Sequence, residues 1–317
     1  MRSPDLHQLR VFVAIVDAGG FSAAAPRLGL TQSTVSTHLR RLEAELGTVL
    51  IDRSGNSLRL TTAGESLLGY ARQILALTEA ALDQLARLST KPVTGTLTIG
   101  GTTTSGERIL PERLQSFLQR YPDVTLALSV SNTADTVRQV LDGSLALALV
   151  GDDVDKALLI SRPVGTEQQI VIVSGSHPLA GQRVEPGDLR GTSVLVREPG
   201  SSTRRYQERL YAEWRIPRST ISSMASTSAI TNAVAAGLGI SCLPRVAVRD
   251  ALASGRVAQL HLDPAPPDRP VTVIRNRDRP LSQLEELFLA HLERAATGPE
   301  TSTGGGTGFQ GSTSPLG

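Results

Sequence analysis

Apolar side chains recur at helical spacing in three short stretches near the start of the chain. The stretches span residues 5–18, 22–28 and 32–46, and a glycine follows each of them. A four-residue turn joins the second and third stretches, an arrangement typical of a helix-turn-helix. Two further apolar runs, Val49–Ile51 and Leu58–Leu60, flank a Ser-Gly-Asn turn and predict a hairpin. A hairpin after the third helix predicts the winged variant of this motif.

Residues 61–90 form one long helical pattern. Its apolar positions alternate by steps of four and three, which is the heptad seam of a helix that pairs with another helix. We expect pairing across a dimer, because a long helix between two domains has no obvious partner; packing against its own chain is the alternative. The seam consists of Leu67, Ala71, Ile74, Thr78, Ala81, Leu85 and Leu88.

From residue 95 onward, short apolar runs alternate with helical patterns. The predicted strands are Thr96–Gly100, Val124–Val130, Leu145–Val150, Gln168–Ser174, Thr192–Val196 and Val271–Arg275. The predicted helices are Arg113–Arg120, Thr136–Leu141, Thr203–Glu213, Thr227–Ala236 and Ser282–Ala295. This alternation predicts parallel sheets with ligand sites at the carboxyl ends of strands, and about 200 residues of it predict two lobes. The Gly-, Ser- and Thr-rich tail, residues 298–317, is predicted to be disordered.

Composition narrows the class of protein. Hydrophobic residues make up 40% and charged residues 20% of the 317 residues, the balance of a globular protein. No apolar run is long enough for a membrane span, the N-terminal segment lacks the pattern of a signal peptide, and Cys242 is the single cysteine. Together these features predict a cytoplasmic protein. The net charge is only +2, which does not exclude a nucleic-acid partner, since only the contacting surface must be basic.

The helix predicted at 32–46 has a polar face suited to reading DNA. Val35 and Leu39 face the core, so the opposite face presents amide, hydroxyl and guanidinium groups. Glutamine suits adenine, arginine suits guanine, and small hydroxyls suit phosphate or either base. A solvated helix in another kind of three-helix domain is the alternative. The candidate DNA-binding residues are Ser22, Gln32, Ser33, Thr34, Ser36, Thr37, His38, Arg40 and, in the hairpin with Arg59, Arg53.

Short motifs along the chain occur in a specific order and spacing. The N-terminal set is Phe12-Val13-Ala14, Phe21–Ala25, Thr31–Ser36, Arg40–Glu43, Leu46-Gly47, Leu50–Arg53 and Leu60–Gly64. The C-terminal set is Gly95-Thr96-Leu97, Leu110-Pro111, Tyr121-Pro122, His177–Ala180, Ala236–Ile240 and Leu243-Pro244. Over about residues 5–296 the chain resembles the LysR-type transcriptional regulators.

The resemblance implies an α/β fold with three parts. These are a winged helix-turn-helix DNA-binding domain at 1–62, a dimerisation linker helix at 63–92, and an effector-binding domain at 93–297. The effector domain would have two lobes like a periplasmic binding protein, lobe I at about 93–163 plus 269–297 and lobe II at about 164–268. The implied partners are double-stranded DNA, a small-molecule effector between the lobes, further copies in a homodimer or homotetramer, and RNA polymerase if the protein is an activator. Neither a cofactor nor a metal is implied.

The sequence departs from the family pattern at three positions. The family often has arginine or glutamine where Thr37 and His38 stand, so its base preference cannot be transferred. It usually has an aspartate where Ala146 stands, which puts the local polar network in doubt.

Three polar turns, each leading into a predicted helix, are candidates for the effector site. The run Gly200–Thr203 offers hydroxyls and backbone N–H groups at a positive helix end, an anion-binding arrangement, and Arg204 and Arg205 follow. It resembles the Gly-Ser-Gly-Thr-Arg variant of family members concerned with carbon fixation and sulfur metabolism. A helix cap with surface arginines is the alternative, and which arginine points inward stays open. The candidates are Thr102, Thr103, Ser105, Ser131, Asn132, Ser201, Ser202, Thr203 and Arg204.

The sequence does not match the signatures of common enzymes. The segment Gly101–Gly106 has the glycine spacing of a P-loop, but Glu107-Arg108 follows where lysine and a hydroxyl residue are required. The five histidines lack metal-ligand spacing, and no Gly-x-Ser-x-Gly elbow occurs. The rival to a regulator is a small-molecule-binding protein or enzyme whose N-terminal helices serve only for assembly.

Overall fold

The computed structural model describes residues 4–52, 58–86, 93–152, 154, 157–217 and 221–297. The predictions for Arg53, for the turn at 54–56, for Leu88 and for the tail at 298–317 lie outside these residues.

Three helices at the N-terminus pack around a shared apolar core. They are α1 (Leu6–Asp17), α2 (Phe21–Leu28) and α3 (Gln32–Leu46). The core includes the fully buried Phe12, Ile15, Val35, Leu39 and Leu42. Gly29 and Gly47 end α2 and α3 with φ of 64° and 68°, a left-handed conformation that glycine adopts without strain. The predicted helix-turn-helix is therefore present.

The wing joins this core to the long helix that follows. Strands β1 (Ile51–Asp52) and β2 (Arg59–Leu60) pair in antiparallel fashion, and α4 covers Thr62–Ala86. The Thr61 hydroxyl caps α4 by accepting a hydrogen bond from the Gly64 N–H at 3.0 Å. A Cβ atom at Gly64 would stand 2.1 Å from the Leu50 carbonyl oxygen, so only glycine allows this close approach between helix and wing.

The remaining described residues alternate between strands and helices. The strands are β3 (Gly95–Thr102), β4 (Val124–Ser131), β5 (Leu147–Gly151), β6 (Leu159–Glu167), β7 (Gln169–Ser174), β8 (Arg183–Val184), β9 (Val194–Arg197), β10 (Ile221–Met224), β11 (Ser241–Pro244), β12 (Val257–Leu262) and β13 (Arg269–Asn276). The helices are α5 (Leu110–Arg120), α6 (Thr133–Leu141), α7 (Ser202–Glu213), α8 (Thr227–Ala235), α9 (Arg249–Ala253) and α10 (Gln283–Thr297). A π-helical turn, Ser105–Ile109, precedes α5.

These elements form two lobes. Lobe I is built on a five-stranded sheet of order β4-β3-β5-β13-β6, and lobe II on a four-stranded sheet of order β11-β7-β12-β8 with the pair β9 and β10. The chain passes from β6 to β7 at Gln168 and returns where β13 begins at Arg269. We expected the outward crossing near 161–164, but β6 stays in the lobe I sheet through Glu167 because its pairing with β13 continues to that residue.

Both main sheets are mixed, which corrects the prediction of parallel sheets. In lobe I, β3 is parallel to β4 and β5, whereas β13 is antiparallel to β5 and β6. In lobe II, β7 is antiparallel to β11 and β12. The physical reason in lobe I is that β13 comes back from the other lobe and enters the sheet in the opposite direction. The carboxyl ends of β3 and β4 still meet at one edge, next to the crossing.

Alternation along β5 explains how lobe I is covered on both faces. Leu147 and Leu149 pack into the cluster that contains Phe117 of α5 and Phe288 of α10. Ala148 and Val150 face the other side and pack into the cluster of α6. Every residue of β5 is buried, as expected of a central strand.

The predicted seam of α4 is divided in the structure. Leu67 and Ala71 pack into the core of α1–α3, so the first turns of the predicted seam are used within the chain. Ile74 and Leu85 of the seam are exposed, and together with Tyr70, Leu77 and Leu82 they form the exposed apolar face of α4. None of the helices in the described residues combines the length and apolarity needed to cross a membrane.

Candidate nucleic-acid interface and interlobe cleft

The outer face of α3 presents polar side chains to solvent. Gln32, Ser33, Thr37 and Arg40 are exposed, and Ser36 is half-buried. The Ser22 hydroxyl of α2 donates to Gln32 Oε1 at 3.0 Å, and Arg40 Nη2 lies 3.4 Å from the Ser36 hydroxyl. The structure therefore brings the α2 start and this face of α3 together in one surface.

Two predicted DNA-binding residues turn toward the flank of α3. The Thr34 hydroxyl shares a hydrogen bond with that of Thr31, the α3 cap, at 2.8 Å. The His38 ring packs edge-on against the His7 ring with centroids 4.6 Å apart. Both side chains are half-buried, which leaves them fewer free atoms for a base edge than Gln32 or Arg40 has. In the wing, Arg59 is exposed.

A half-buried contact that the sequence did not reveal fixes the wing against α3. Glu43 Oε1 accepts hydrogen bonds from the backbone N–H groups of Leu50 at 2.9 Å and Ile51 at 3.3 Å. The carboxylate thus ties α3 to the hairpin.

In the second candidate site, two helix N-termini face each other across the lobes. The N-terminus of α6 belongs to lobe I and that of α7 to lobe II. The Ser202 N–H donates to Thr133 Oγ1 at 3.0 Å, and the Ala134 N–H donates to the Gly200 carbonyl at 3.1 Å. The partial positive charges of both helix ends therefore converge on one cleft.

Arg197, at the end of β9, bridges the lobes. It is 3% exposed, and its Nη2 donates to Thr103 Oγ1 of lobe I at 3.2 Å. Within lobe II it donates to Thr227 Oγ1 at 2.8 Å and forms two bonds with the Glu198 carboxylate, at 2.7 and 2.8 Å. The guanidinium is thus held in place by both lobes.

Arg269, the first residue of β13, reaches the same cleft from lobe I. It donates to Ser202 Oγ at 3.1 Å, to Thr203 Oγ1 at 3.3 Å and to the Gly151 carbonyl. Its guanidinium also lies over the Tyr206 ring, 5.1 Å from the centroid. Burial lowers the pKa of Arg269 from its ordinary value, and the nearby Glu167 carboxylate opposes that change.

The two arginines and the two helix ends line a small polar cavity. The space open to the centre of a water molecule is about 10 Å³, which is room for about one water. A metabolite can enter only if the lobes separate. The lining residues are Thr102, Thr103, Thr104, Asn132, Thr133, Gly151, Glu167, Arg197, Ser201, Ser202, Thr203 and Arg269.

Three of the predicted effector residues do not line this cavity. Ser105 is fully buried and accepts a hydrogen bond from Thr102 at 3.3 Å, and Ser131 shares one with Thr136 at 2.8 Å. Arg204 points out of the cavity; it donates to the Arg197 carbonyl at 3.1 Å, to Ser223 at 3.0 Å and to Glu208 at 2.7 Å.

A larger cavity lies on the other side of the crossing between the lobes. Its space for water centres is about 720 Å³, and residues such as Ile109, Val164 and Leu252 make most of its lining apolar. Arg113, Arg245 and Arg249 also line it, but neither helix N-terminus reaches it. The small cavity combines two buried guanidinium groups with both helix N-termini, so it is the candidate site for an anion, although the other one is more spacious.

One side chain links the three parts of the chain. Arg72 of α4 forms ion pairs with Asp17 at the end of α1, at 2.5 Å, and with Asp142 at the end of α6, at 2.8 Å. Because the other end of α6 borders the polar cavity, this helix connects the cleft to the linker helix and the N-terminal domain.

Comparison with known proteins gives consistent matches. Residues 6–65 match the family model for the bacterial regulatory helix-turn-helix protein of the lysR family, and residues 90–297 match that for the LysR substrate binding domain. The HTH-type transcriptional regulator CbbR of Rhodospirillum rubrum is 33% identical over 295 residues, covering 92% of this chain and 96% of that protein.

Two solved structures are similar to different extents of the chain. The regulatory domain of CcmR from Synechocystis PCC6803, in complex with 2-PG, is 25% identical with a TM-score of 0.59, covering 64% of this chain and 98% of that one. Full-length CbnR in complex with its target DNA is 25% identical with a TM-score of 0.63, covering 92% and 99%.

Proposed function

The chain belongs to the LysR family of transcriptional regulators, and we propose that it reads its operator with the exposed face of α3 and responds to a small anionic metabolite bound between lobes I and II. It acts without catalysis, as a regulator whose DNA affinity or DNA geometry depends on the ligand. The rival hypothesis is a small-molecule-binding protein or enzyme whose N-terminal helices serve only for assembly. Such helices would not need the polar face from Gln32 to Arg40. A cytoplasmic location and an RNA polymerase contact stay predictions.

The observation that supports an anion is the convergence of positive groups on one buried cavity. Two helix N-termini and two nearly buried guanidinium groups, Arg197 and Arg269, line it together with hydroxyls from both lobes. Hydrogen bonds from such groups to an ionised ligand are stronger than neutral ones. The similar CcmR domain was solved with the ligand 2-PG, which agrees with this chemistry.

The closed cleft suggests how ligand binding changes the protein. Entry of a metabolite must break the contacts Arg197–Thr103 and Ser202–Thr133, and the bound ligand then bridges the same groups at a greater separation. The ligand shifts the balance between lobe arrangements only by its differential affinity for them. In a homodimer or homotetramer formed through the exposed face of α4, that shift would change the spacing of the DNA-binding domains.

Calorimetric titration of the full-length protein tests the ligand class. Inorganic phosphate, dicarboxylates and phosphorylated metabolites are compared with uncharged analogues. Arg269→Gln should weaken anion binding about 10- to 150-fold, which corresponds to the free energy of one hydrogen bond to a charged group. Arg204→Gln is the matched control, since this arginine lies on the same side of the molecule but points away from the cavity. A cleft that binds only uncharged compounds would contradict the proposal.

A further inference from the structure

A buried carboxylate lies beside the arginines of the cleft. Glu167, the last residue of β6, is 4% exposed and lines the small polar cavity. It stands directly opposite Arg269 in the antiparallel pairing of β6 with β13, so the two side chains project from the same face of the sheet. A carboxylate at the entrance of a proposed anion site needs a reason, because it repels the ligand.

The polar ends of this pair both approach Gly151 on the wall of the cavity. A Cβ atom placed on Gly151, another lining residue, would lie 3.3 Å from Glu167 Oε2 and 3.4 Å from Arg269 Nη2. The glycine thus leaves both groups uncovered at one point of the cleft. The two side chains do not form an ion pair within 4.0 Å among the described residues, although their charges influence each other.

Two buried atoms of the pair lack hydrogen-bond partners. Within the described ranges, neither Glu167 Oε1 nor Arg269 Nε has one. The side-chain amide of Gln169 donates to the Glu167 backbone carbonyl at 3.2 Å, and its proximity to the Glu167 carboxylate partly opposes the rise in pKa that burial causes. Buried polar atoms without partners are uncommon and costly, so a ligand group that supplies partners for both atoms would be stabilised here.

The chemistry of the two free atoms specifies that group. An ionised carboxylate only accepts hydrogen bonds and a guanidinium only donates them. A carboxylate or a fully deprotonated phosphate can bind the arginine but has no proton to donate to the glutamate, whereas a hydroxyl can accept from the one and donate to the other. Burial raises the pKa of Glu167 above its ordinary value, and this cost of ionisation is offset when a ligand donates to the carboxylate.

We infer that the effector is a hydroxylated anion, such as a phosphorylated or carboxylated hydroxy compound, and that Glu167 selects it by accepting a hydrogen bond from the hydroxyl next to its anionic group. The inference rests on the proposed anion site and adds a specificity-determining residue to it. Anions without a hydroxyl are disfavoured by the same carboxylate, so one side chain both attracts the correct ligand and rejects simple anions.

The test uses pairs of anions that differ by a single hydroxyl, titrated calorimetrically into the full-length protein at constant pH and salt. The pairs are 3-phosphoglycerate with 3-phosphooxypropionate, lactate with propionate, and ribose 5-phosphate with its 2-deoxy form. For any pair that binds, we expect the hydroxylated member to bind at least tenfold more tightly to the natural protein. Glu167→Gln should bring the two members within about threefold, mainly by strengthening the anion that lacks the hydroxyl.

The outcomes separate the two proposals. If no anion binds, the proposed anion site fails and this inference fails with it. If anions bind but the hydroxyl has no effect on the natural protein, only the inference is overturned, and this comparison needs no variant to fold. Retention of the preference in Glu167→Gln would also overturn it. Glu112→Gln, an exposed carboxylate on α5, is the matched control and should leave the preference unchanged.

Discussion

Arg72 offers a direct test of how the cleft communicates with the DNA-binding domain. Its side chain is 9% exposed and pairs with two carboxylates, Asp17 of the N-terminal domain and Asp142 of lobe I, which are 44% and 36% exposed. Asp142 caps the C-terminal end of the nine-residue α6, and the helix begins at the cleft, about 13 Å away at 1.5 Å per residue. A shift of α6 on ligand binding must therefore change the Arg72–Asp142 pair or move α4 with it.

The magnitude follows from the exposure of the partners. Ion pairs whose carboxylates are one third or more exposed contribute about 0.2–1 kcal/mol each. Arg72→Met should therefore destabilise the full-length protein by about 0.5–2 kcal/mol. Asp142→Asn removes the ion pair with lobe I and keeps the one with Asp17. The effect of ligand on operator affinity should then fall by about 1.4- to 5-fold, which is the energy of one such ion pair expressed as an equilibrium ratio.

Fluorescence anisotropy of labelled operator DNA, with and without saturating ligand, measures this response, and calorimetry measures ligand affinity separately. We expect the response to fall in both variants while ligand affinity stays within about twofold. Arg138→Met is the matched control, because Arg138 lies on α6 and, among the residues that the structure describes, forms its ion pair with the exposed Asp135 of its own helix. An unchanged response in Arg72→Met, or additive effects of Arg72→Met and Asp142→Asn in a double-mutant cycle, would refute the reasoning.

Three other predictions concern different parts of the chain. Gln32→Ala and Arg40→Ala should each lower the discrimination between operator and mutated operator by about 1–3 kcal/mol, whereas Arg59→Ala should weaken binding to all DNA sequences alike. Competition with mutated operators distinguishes these outcomes. Equal discrimination in all variants would exclude α3 from the major groove. Leu77→Glu with Leu85→Glu should dissociate the oligomer in sedimentation experiments. Glu65→Lys, an exposed charge change on the opposite side of the same helix, should not. Burial holds the pKa of His291 below its ordinary value of 6.5, so on acidification His291 is protonated in the unfolded chain before it is protonated in the folded protein. The free energy of unfolding should therefore fall as the pH drops below about 6.5. The loss of stability to urea between about pH 7.5 and 5.5 should be smaller in His291→Gln.

Local patterns in the sequence were sufficient for the helices and for the outer face of α3. Caps, glycines and apolar periodicity act within a few residues, so Thr31, Gly47 and the buried Val35 and Leu39 could be assigned from neighbouring positions alone. The arginines of the cleft could not be assigned in this way. Glu167, Arg197 and Arg269 are distant in sequence, and only strand pairing and the contact between lobes bring them to one cavity.

The division of the α4 seam has a geometric cause. An α-helix has 3.6 residues per turn, so Leu67 and Leu85, which are about five turns apart, lie on the same side of α4. The core of α1–α3 covers Leu67 and Ala71 in the first turns, and the helix then extends beyond that core. The rest of this side, where Ile74 and Leu85 are exposed, is available to a second copy.

The orientation of Arg204 could have been predicted from the helix that follows it. The buried positions of α7 are Ser202, Thr203, Tyr206, Gln207, Leu210 and Tyr211, one face repeated every four residues. Large aromatic and aliphatic side chains at 206, 210 and 211 fix that face toward the core, so residues 204 and 205 must lie on the opposite side. The positive charge of the cleft then has to come from strand ends instead. Arg197 stays bonded to Thr227 and to the Glu198 carboxylate within lobe II when the lobes separate, so its guanidinium is already in position for an anion, which lowers the cost of ordering on binding.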